Sequence, residues 1–256
     1  MLRKKHFLAG LLLAGAVALS GGVPATAAES PASAHLSPQS PQALEKLENL
    51  NPGTSDQELM NGLSAYAAER GITLEQALQE SLRESEESAQ AASEGSSGGV
   101  STYATRTLGA AKAKGDIFVS PASTLFIKHG HTGIYYTTGT IVEAPGKKAG
   151  GKTLKSRSYA ASKLSVGKGA VKQSVGVSTA KRKASANHAY SKLRGKPYNT
   201  SFAANKKVNG STMNCSQLVW AAYKVGGRID LDSNGGPGVY PYNIKNSKYT
   251  KTYKTL

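Results

Sequence analysis

Cys215 is the only cysteine in the 256 residues, and it stands in the run Thr212-Met213-Asn214-Cys215-Ser216-Gln217-Leu218-Val219-Trp220. Leu218, Val219 and Ala222 recur at helical spacing, and small polar residues (Ser211, Thr212, Asn214) precede them. The pattern predicts a helix beginning at the cysteine. A thiol in a first helical turn lies at the positive end of the macrodipole, among backbone N–H groups without acceptors. That setting favours the thiolate, which is the nucleophile. The alternative is a buried structural thiol, because free cysteine is among the most buried residue types.

A nucleophilic thiol needs a base, and the base needs a group to orient it. Of the five histidines, His6 falls in an N-terminal export signal and His35 in a stretch rich in Pro, Ser and Ala, which leaves His129, His131 and His188. His131 opens the run His131-Thr132-Gly133-Ile134-Tyr135-Tyr136, and Thr140-Ile141-Val142-Glu143-Ala144 follows after Thr137-Thr138-Gly139. Two β-rich runs around a short loop holding glycine predict a hairpin. A three-residue loop sets Tyr135 opposite Ile141, Ile134 opposite Val142 and Gly133 opposite Glu143. His131 and Glu143 then share a face as diagonal neighbours, with Gly133 leaving open space between them. A register slip of one residue would separate them. Residues 101–256 hold only four carboxylates, Asp116, Glu143, Asp230 and Asp232, and one falls on the histidine's face. The alternatives are a hydrogen-bonded sheet histidine and a glutamate paired with a lysine. One cysteine and three scattered histidines make no zinc ligand set, and a thiol mechanism needs no cofactor.

The surrounding elements follow from punctuation and periodicity. Met1 to about Ala28 has a basic start, an apolar run from Phe7 to Leu19 and the small-x-small site Ala25-Thr26-Ala27, the pattern of a secretory signal too short to be a comfortable membrane span. Residues 29–54 read as disordered. Ser55-Asp56-Gln57-Glu58 is a capping box opening a helix that Gly71 ends, and Thr73 opens a second helix carrying Leu74, Leu78 and Leu82. Glu94-Gly95-Ser96-Ser97-Gly98-Gly99 reads as a linker. Beyond it, Gly115–Val119 and Val171–Val177 read as strands and Ser178–Arg194 as a helix, with Ala184, His188 and Leu193 partly on one face. Residues 146–170 read as a basic surface loop, and the tail as irregular, with Val239–Ile244 extended. The domains expected are therefore 1–28, a signal peptide; 29–100, an acidic, partly helical propeptide or spacer; and 101–256, a basic domain.

Charge divides the same way. Residues 29–100 carry 12 acidic and 3 basic side chains, a net of −9, and 101–256 carry 26 basic and 4 acidic, a net of +22. An acidic segment ahead of a basic domain predicts an intramolecular contact between them; a solvated spacer is the alternative. A basic exported domain expects an anionic partner, and the export signal points away from nucleic acid. The tyrosines of the tail are read as packing rather than as a stacking platform.

The successive blocks Lys114-Gly115-Asp116-Ile117-Phe118, Gly130-His131-Thr132-Gly133-Ile134-Tyr135, Val142-Glu143-Ala144, Gly195-Lys196-Pro197-Tyr198-Asn199 and Asn214-Cys215-Ser216-Gln217-Leu218-Val219 resemble those of the permuted NlpC-type papain-like cysteine hydrolases, over roughly residues 110 to 245. His131 precedes Cys215 by 84 residues, the permuted order. The resemblance implies an α+β papain-like fold with an antiparallel sheet packed on the cysteine-bearing helix. It implies Cys215 as nucleophile, His131 as base, Glu143 as the orienting residue, and Tyr198 with Gln217 near the oxyanion or substrate. Asn214 and Gln217 stand where many members have Asp and Gly, and the lysine-rich stretch 146–183 has no clear counterpart. The function implied is a secreted or wall-associated cysteine peptidase or amidase cutting peptidoglycan, with an anionic wall polymer (peptidoglycan or teichoic acid) as partner, no metal and no stable membrane anchor. A lipid or ester acyl hydrolase or acyltransferase of the same fold, and a non-catalytic wall-binding module, are the alternatives.

Overall fold

Three helices lead the chain, and each has a local reason. In the computed structural model, which describes residues 37–96, 105–121, 129–146 and 153–256, α1 spans Ser40–Leu50, α2 Asp56–Arg70 and α3 Leu74–Ser96. The capping box at Ser55 forms in both directions, and Gly71 ends α2 in the left-handed conformation at φ 65°. Thr73 and Gln76 cap α3 reciprocally. α1 replaces part of the disorder expected over 29–54. Ala43 and Leu47 stack one helical turn apart and are buried against Leu59, Leu63, Leu78 and Leu82, which stabilises a helix that propensity alone would not. The signal-peptide stretch lies outside the described residues.

The remaining strands and helices are β1 (Thr105–Thr107), β2 (Ile117–Ser120), β3 (His131–Tyr135), β4 (Thr140–Glu143), β5 (Arg157–Ala160), β6 (Ser165–Gly167), β7 (Val171–Val175), α4 (Thr179–Lys192), α5 (Cys215–Ala222), α6 (Pro241–Lys245) and β8 (Thr250–Thr255). Six strands form one antiparallel sheet in the order β5-β4-β3-β2-β7-β8, and β1 pairs with β6 separately. The fold is α+β. Period-2 alternation divides the sheet's apolar residues between two cores. Ile117, Ile134, Val142 and Val175 pack with Leu218, Val219 and Ala222 of α5 and Ala186 and Ala189 of α4. Phe118, Tyr135 and Ile141 pack on the other side with Leu108 and Val166 from the β1–β6 pair. On α4 the buried face is Ser185, Ala186 and Ala189; Ala184 is exposed and His188 half-buried.

Two stretches differ from expectation. The basic loop expected over 146–170 contains β5 and β6, and the tail expected to be irregular forms α6 and the edge strand β8. Asn243 Oδ1 accepts from Tyr240 N at 2.8 Å and turns Pro241–Lys245 into a helix rather than an extended run.

Residues 32–256 make one compact unit. The acidic helices meet the basic part through specific hydrogen bonds, none of them to a lysine or arginine. Asn51 Oδ1 accepts from the backbone N–H groups of Phe202 and Ala203 at 2.9 and 3.3 Å. Leu50 O contacts His129 Nε2 at 2.7 Å. Ser81, Glu84, Ser85 and Ser88 of α3 are all buried, a polar stripe at helical spacing. Ser85 Oγ meets Tyr240 Oη at 2.6 Å, and Gly238 N–H donates to Glu84 Oε2 at 2.8 Å.

Candidate active site

Cys215 is the first residue of α5. Asn214 is the N-cap, its Oδ1 accepting from Gln217 N at 2.8 Å, and Gln217 Oε1 accepts from Asn214 N at 3.4 Å. This capping box fixes where the helix starts and hence where the thiol stands. Ser216 Oγ donates to Val239 O at 2.7 Å and ties the same turn to the tail. All eight residues of α5 are buried, Cys215 included.

The β3–β4 register sets Ile134 opposite Val142 and Tyr135 opposite Ile141, as the loop length predicts. His131 and Glu143 share a face and touch: His131 Nε2 lies 2.6 Å from Glu143 Oε2. The space beside Gly133 is not open, however. A Cβ there would lie 2.6 Å from Phe118 Cε1, so the Phe118 ring fills it, 5.7 Å from the imidazole. Glycine at 133 admits the ring that packs against the histidine.

His131 Nδ1 and Tyr198 Oη are buried without a hydrogen-bond partner among the described residues, and both side chains feel the electrostatic influence of Cys215 and Glu143. Burial by itself pushes the imidazole pKa down; the interactions with Cys215 and Glu143 outweigh it and raise it to about 10. Burial likewise pushes the Glu143 carboxyl up, and His131, Tyr159 and Arg157 together bring it below the usual carboxylate value. Burial first, then the neighbouring Cys215 and Glu143, holds the Tyr198 phenol well above its ordinary value, so it keeps its proton and remains a donor.

No family model matches the chain, and no solved structure matches it. The uncharacterized protein YycO of Bacillus subtilis (strain 168) is 32% identical over 218 residues, which is 83% of this chain and 86% of that protein. The chain belongs to the YycO family.

In this YycO-family chain the structure brings Cys215, His131, Glu143 and Tyr198 together and leaves Gln217 out. The Gln217 amide is committed on both sides, to the Asn214 cap and to Lys207 O at 2.8 Å. It borders a cavity of about 240 Å³ between α2 and the loop before the cysteine, lined also by Asn199 and Asn205. Gln217, expected near the oxyanion or substrate, thus caps the cysteine helix and borders that cavity. Two other residues belong to the site. Tyr159 Oη donates to Glu143 Oε1 at 2.7 Å, and Arg157 Nη2 stands 3.6 Å from the same oxygen. Both lie on β5, where Glu143 pairs with Arg157 and Ile141 with Tyr159. The signal available was Arg157-Ser158-Tyr159-Ala160, a short alternating run with an aromatic inside a stretch otherwise dominated by Gly, Lys and Ser. Among the described residues no group of three His, Cys, Asp or Glu side chains is placed to hold a metal ion.

Proposed function

We propose that this protein is a cysteine hydrolase of permuted papain-like type, secreted or wall-associated, that cuts peptide or amide bonds of peptidoglycan by acyl transfer. What supports the reading is the His131–Glu143 contact at 2.6 Å beside a thiol at the first position of a helix. Glu143 holds the imidazole through Nε2, which leaves Nδ1 toward Cys215. His131 takes the thiol proton and the imidazolium remains beside the sulfur. The thiolate attacks the substrate carbonyl carbon. The oxyanion is met by the backbone N–H of Cys215, a helix-start amide without an intrahelical acceptor, and by the protonated Tyr198 hydroxyl. His131 passes its proton to the leaving amine, the C–N bond breaks, and the acyl group stays on sulfur. Water, deprotonated by His131, releases the acid and restores the thiol. Export and the net charge of the basic part favour a wall substrate over a soluble peptide.

The test is digestion of purified peptidoglycan by the chain from residue 29, beside its Cys215→Ala variant, with products read by mass spectrometry. New muropeptides that vanish in the variant are expected. No release from peptidoglycan, with release of fatty acid from phospholipid vesicles instead, would reassign the substrate to lipids; inertness of Cys215 to alkylation as well would end the catalytic reading.

A further inference from the structure

We infer that the cavity between α2 and the loop before the cysteine is a binding site for a small zwitterion, a free amino acid or a dipeptide. Its lining holds one acid and one base, Glu58 and Lys207. Among the described residues neither is ion-paired, with the other or with a third group; the ion pairs formed belong to other side chains. Glu58 Oε2 is turned to the start of α2, where it accepts from Ser55 N at 3.3 Å, which leaves Oε1 uncommitted. Two opposite charges that share a cavity and stay apart fit a ligand carrying both signs. A ligand of one sign alone would meet a like charge on the protein, which works against binding.

Asn205 adds an acceptor that nothing in the protein uses. It lines the cavity and is only 4% exposed. Its Nδ2 donates to Ser201 O at 2.8 Å. A carbonyl can only accept, so this bond fixes which end of the amide is which. Oδ1 is left buried with no hydrogen bond among the described residues. Keeping a buried acceptor without a donor is costly. A ligand ammonium supplies the donor, with Glu58 balancing its charge. The ligand carboxylate then meets Lys207 and the hydroxyls of Ser211 and Thr212, which line the same cavity. The wall that carries Asn205 is closely seated. Ala204 is left-handed at φ 48°, a conformation that L side chains disfavour, and a Cβ on Gly62 of α2 would lie 3.1 Å from Ala204 Cβ.

The lining disfavours other small ligands. It has no aromatic ring on which a sugar or base could stack, and no arginine to fork onto a phosphate. At about 240 Å³ the cavity is smaller than the roughly 300–1,000 Å³ of drug-sized sites. A third charge on the ligand would find no partner, so the side chains accepted are small and uncharged. The cavity is also distinct from the hydrolytic site. Gln217, which borders it, follows Cys215 by two residues and so leaves α5 about 200° round from the thiol. Its other wall, α2, lies ahead of the stretch that resembles the cysteine hydrolases.

Binding is measured by calorimetry on the full chain carrying Cys215→Ala, so the outcome is independent of whether the thiol is catalytic. The probes are alanine and alanylalanine, each beside its N-acetyl form, which lacks the ammonium, and its C-terminal amide, which lacks the carboxylate. Glucose and inorganic phosphate run in parallel. Saturable binding of at least one probe is expected, with affinity falling about tenfold or more when either end is blocked. Glu58→Gln keeps the capping box, since glutamine serves at that position as glutamate does, and should bind the free and N-acetyl forms alike. Lys207→Gln should bind the free and amide forms alike. Ser211→Trp, at an exposed position of the rim, should abolish binding, and all three variants should unfold at the native temperature. Saturation by neither probe would mean that water alone meets Asn205 and would overturn the assignment. Undiminished binding by Ser211→Trp, glucose or phosphate bound as tightly as the probe, or an unchanged preference for free ends in both glutamine variants would overturn it as well.

Discussion

Glu143 and Glu84 are equally buried, each 1% exposed, and the protein treats them in opposite ways. Glu143 lies in the candidate active site with His131 on one oxygen and Tyr159 on the other. Its carboxyl is held below the ordinary value, so it is an anion at neutral pH. Glu84 lies where α3 meets the tail. One oxygen accepts from Gly238 N, the other has no partner, and Gly236 packs so closely that a Cβ there would sit 2.6 Å from the carboxyl carbon. Burial dominates; Asn234 and Lys206 offset it in part, Asp232 adds to it, and the pKa rises to about 7. Depth of burial does not decide the charge state of a carboxylate. The count and charge of its partners decide it.

The same substitution at the two positions is therefore expected to act with opposite sign. Glu143→Gln removes the negative partner of a buried imidazolium. Breaking such a pair costs on the order of 3–5 kcal/mol, and losing an oriented base should lower the hydrolytic rate by about 100-fold or more. The His131 pKa, raised to about 10 in the native protein, should fall in the variant. A histidine with a raised folded pKa contributes stability that is complete below its unfolded value and is lost as pH climbs through the folded one. The pair's contribution should accordingly fade between about pH 6.5 and pH 10 in the native protein, and the variant should lack that decline. Urea unfolding across this range, with the imidazole followed by NMR, measures both. An unchanged His131 pKa in Glu143→Gln would break the comparison at its first term.

Glu84→Gln should stabilise the protein above neutrality. The folded state holds the Glu84 proton more tightly than the unfolded state does, so ionisation works against folding as pH rises from about 4.5 to about 7 and is complete above that. A difference of that size corresponds to roughly 3 kcal/mol. The amide keeps the acceptor that Gly238 needs and does not ionise. Wild type and variant should match at pH 4 and diverge by pH 8, with the gain read by urea unfolding and by slower hydrogen exchange in α3. Should both Glu→Gln variants move stability the same way at pH 8, burial and not partnership would be the controlling variable.

Much of this contrast was readable in the residues. The loop Thr137-Thr138-Gly139 fixes the hairpin register, and the register alone puts Glu143 on the His131 face. Asn214 before Cys215 marks the helix start. The helix starts at Ser55 and Thr73 are written as capping boxes. Glu84 was not legible, since its surroundings come from residues 234–240, about 150 positions away, in a Gly-rich stretch with no periodicity. Tyr159 was hidden for a related reason. β5 is an edge strand whose residues are only partly buried, so it lacks the apolar alternation that announces a strand, and its contribution to the site is one hydroxyl. α1 was concealed by composition, because Pro, Ser and Ala around Ala43 and Leu47 resemble a solvated tail until α2 and α3 supply something to pack against.

Tyr159→Phe tests the Glu143 side of the comparison more gently. It deletes one hydrogen bond to a charged acceptor and keeps the ring, so the expected cost is about 1.5–3 kcal/mol. With one donor fewer, the Glu143 carboxyl should titrate higher and His131 lower, which moves the alkaline limb of hydrolysis below about pH 10. The readout is the pH profile beside thermal unfolding. A loss of stability with no shift in the profile would make Tyr159 a packing residue alone.

Arg157 offers the smallest effect and the sharpest check on how far charge matters at this site. Its guanidinium stands 3.6 Å from Glu143 Oε1, and its side chain is 48% exposed. The guanidinium also covers the Tyr159 ring at 4.8 Å. A half-exposed ion pair gains little in water, and the entropy of fixing a long side chain opposes it, so Arg157→Gln should cost less than about 1 kcal/mol. That cost should shrink as salt is raised, because exposed charges are screened over about 10 Å at 0.1 M. Tyr159→Phe, which removes a neutral donor from a buried carboxylate, should be nearly insensitive to salt. Unfolding both variants in urea at low and high salt separates the two. An Arg157→Gln cost as large as that of Tyr159→Phe, and as indifferent to salt, would mean that the guanidinium acts by sealing the Tyr159 ring over Glu143, and that water exclusion, not its charge, is what keeps the carboxylate paired.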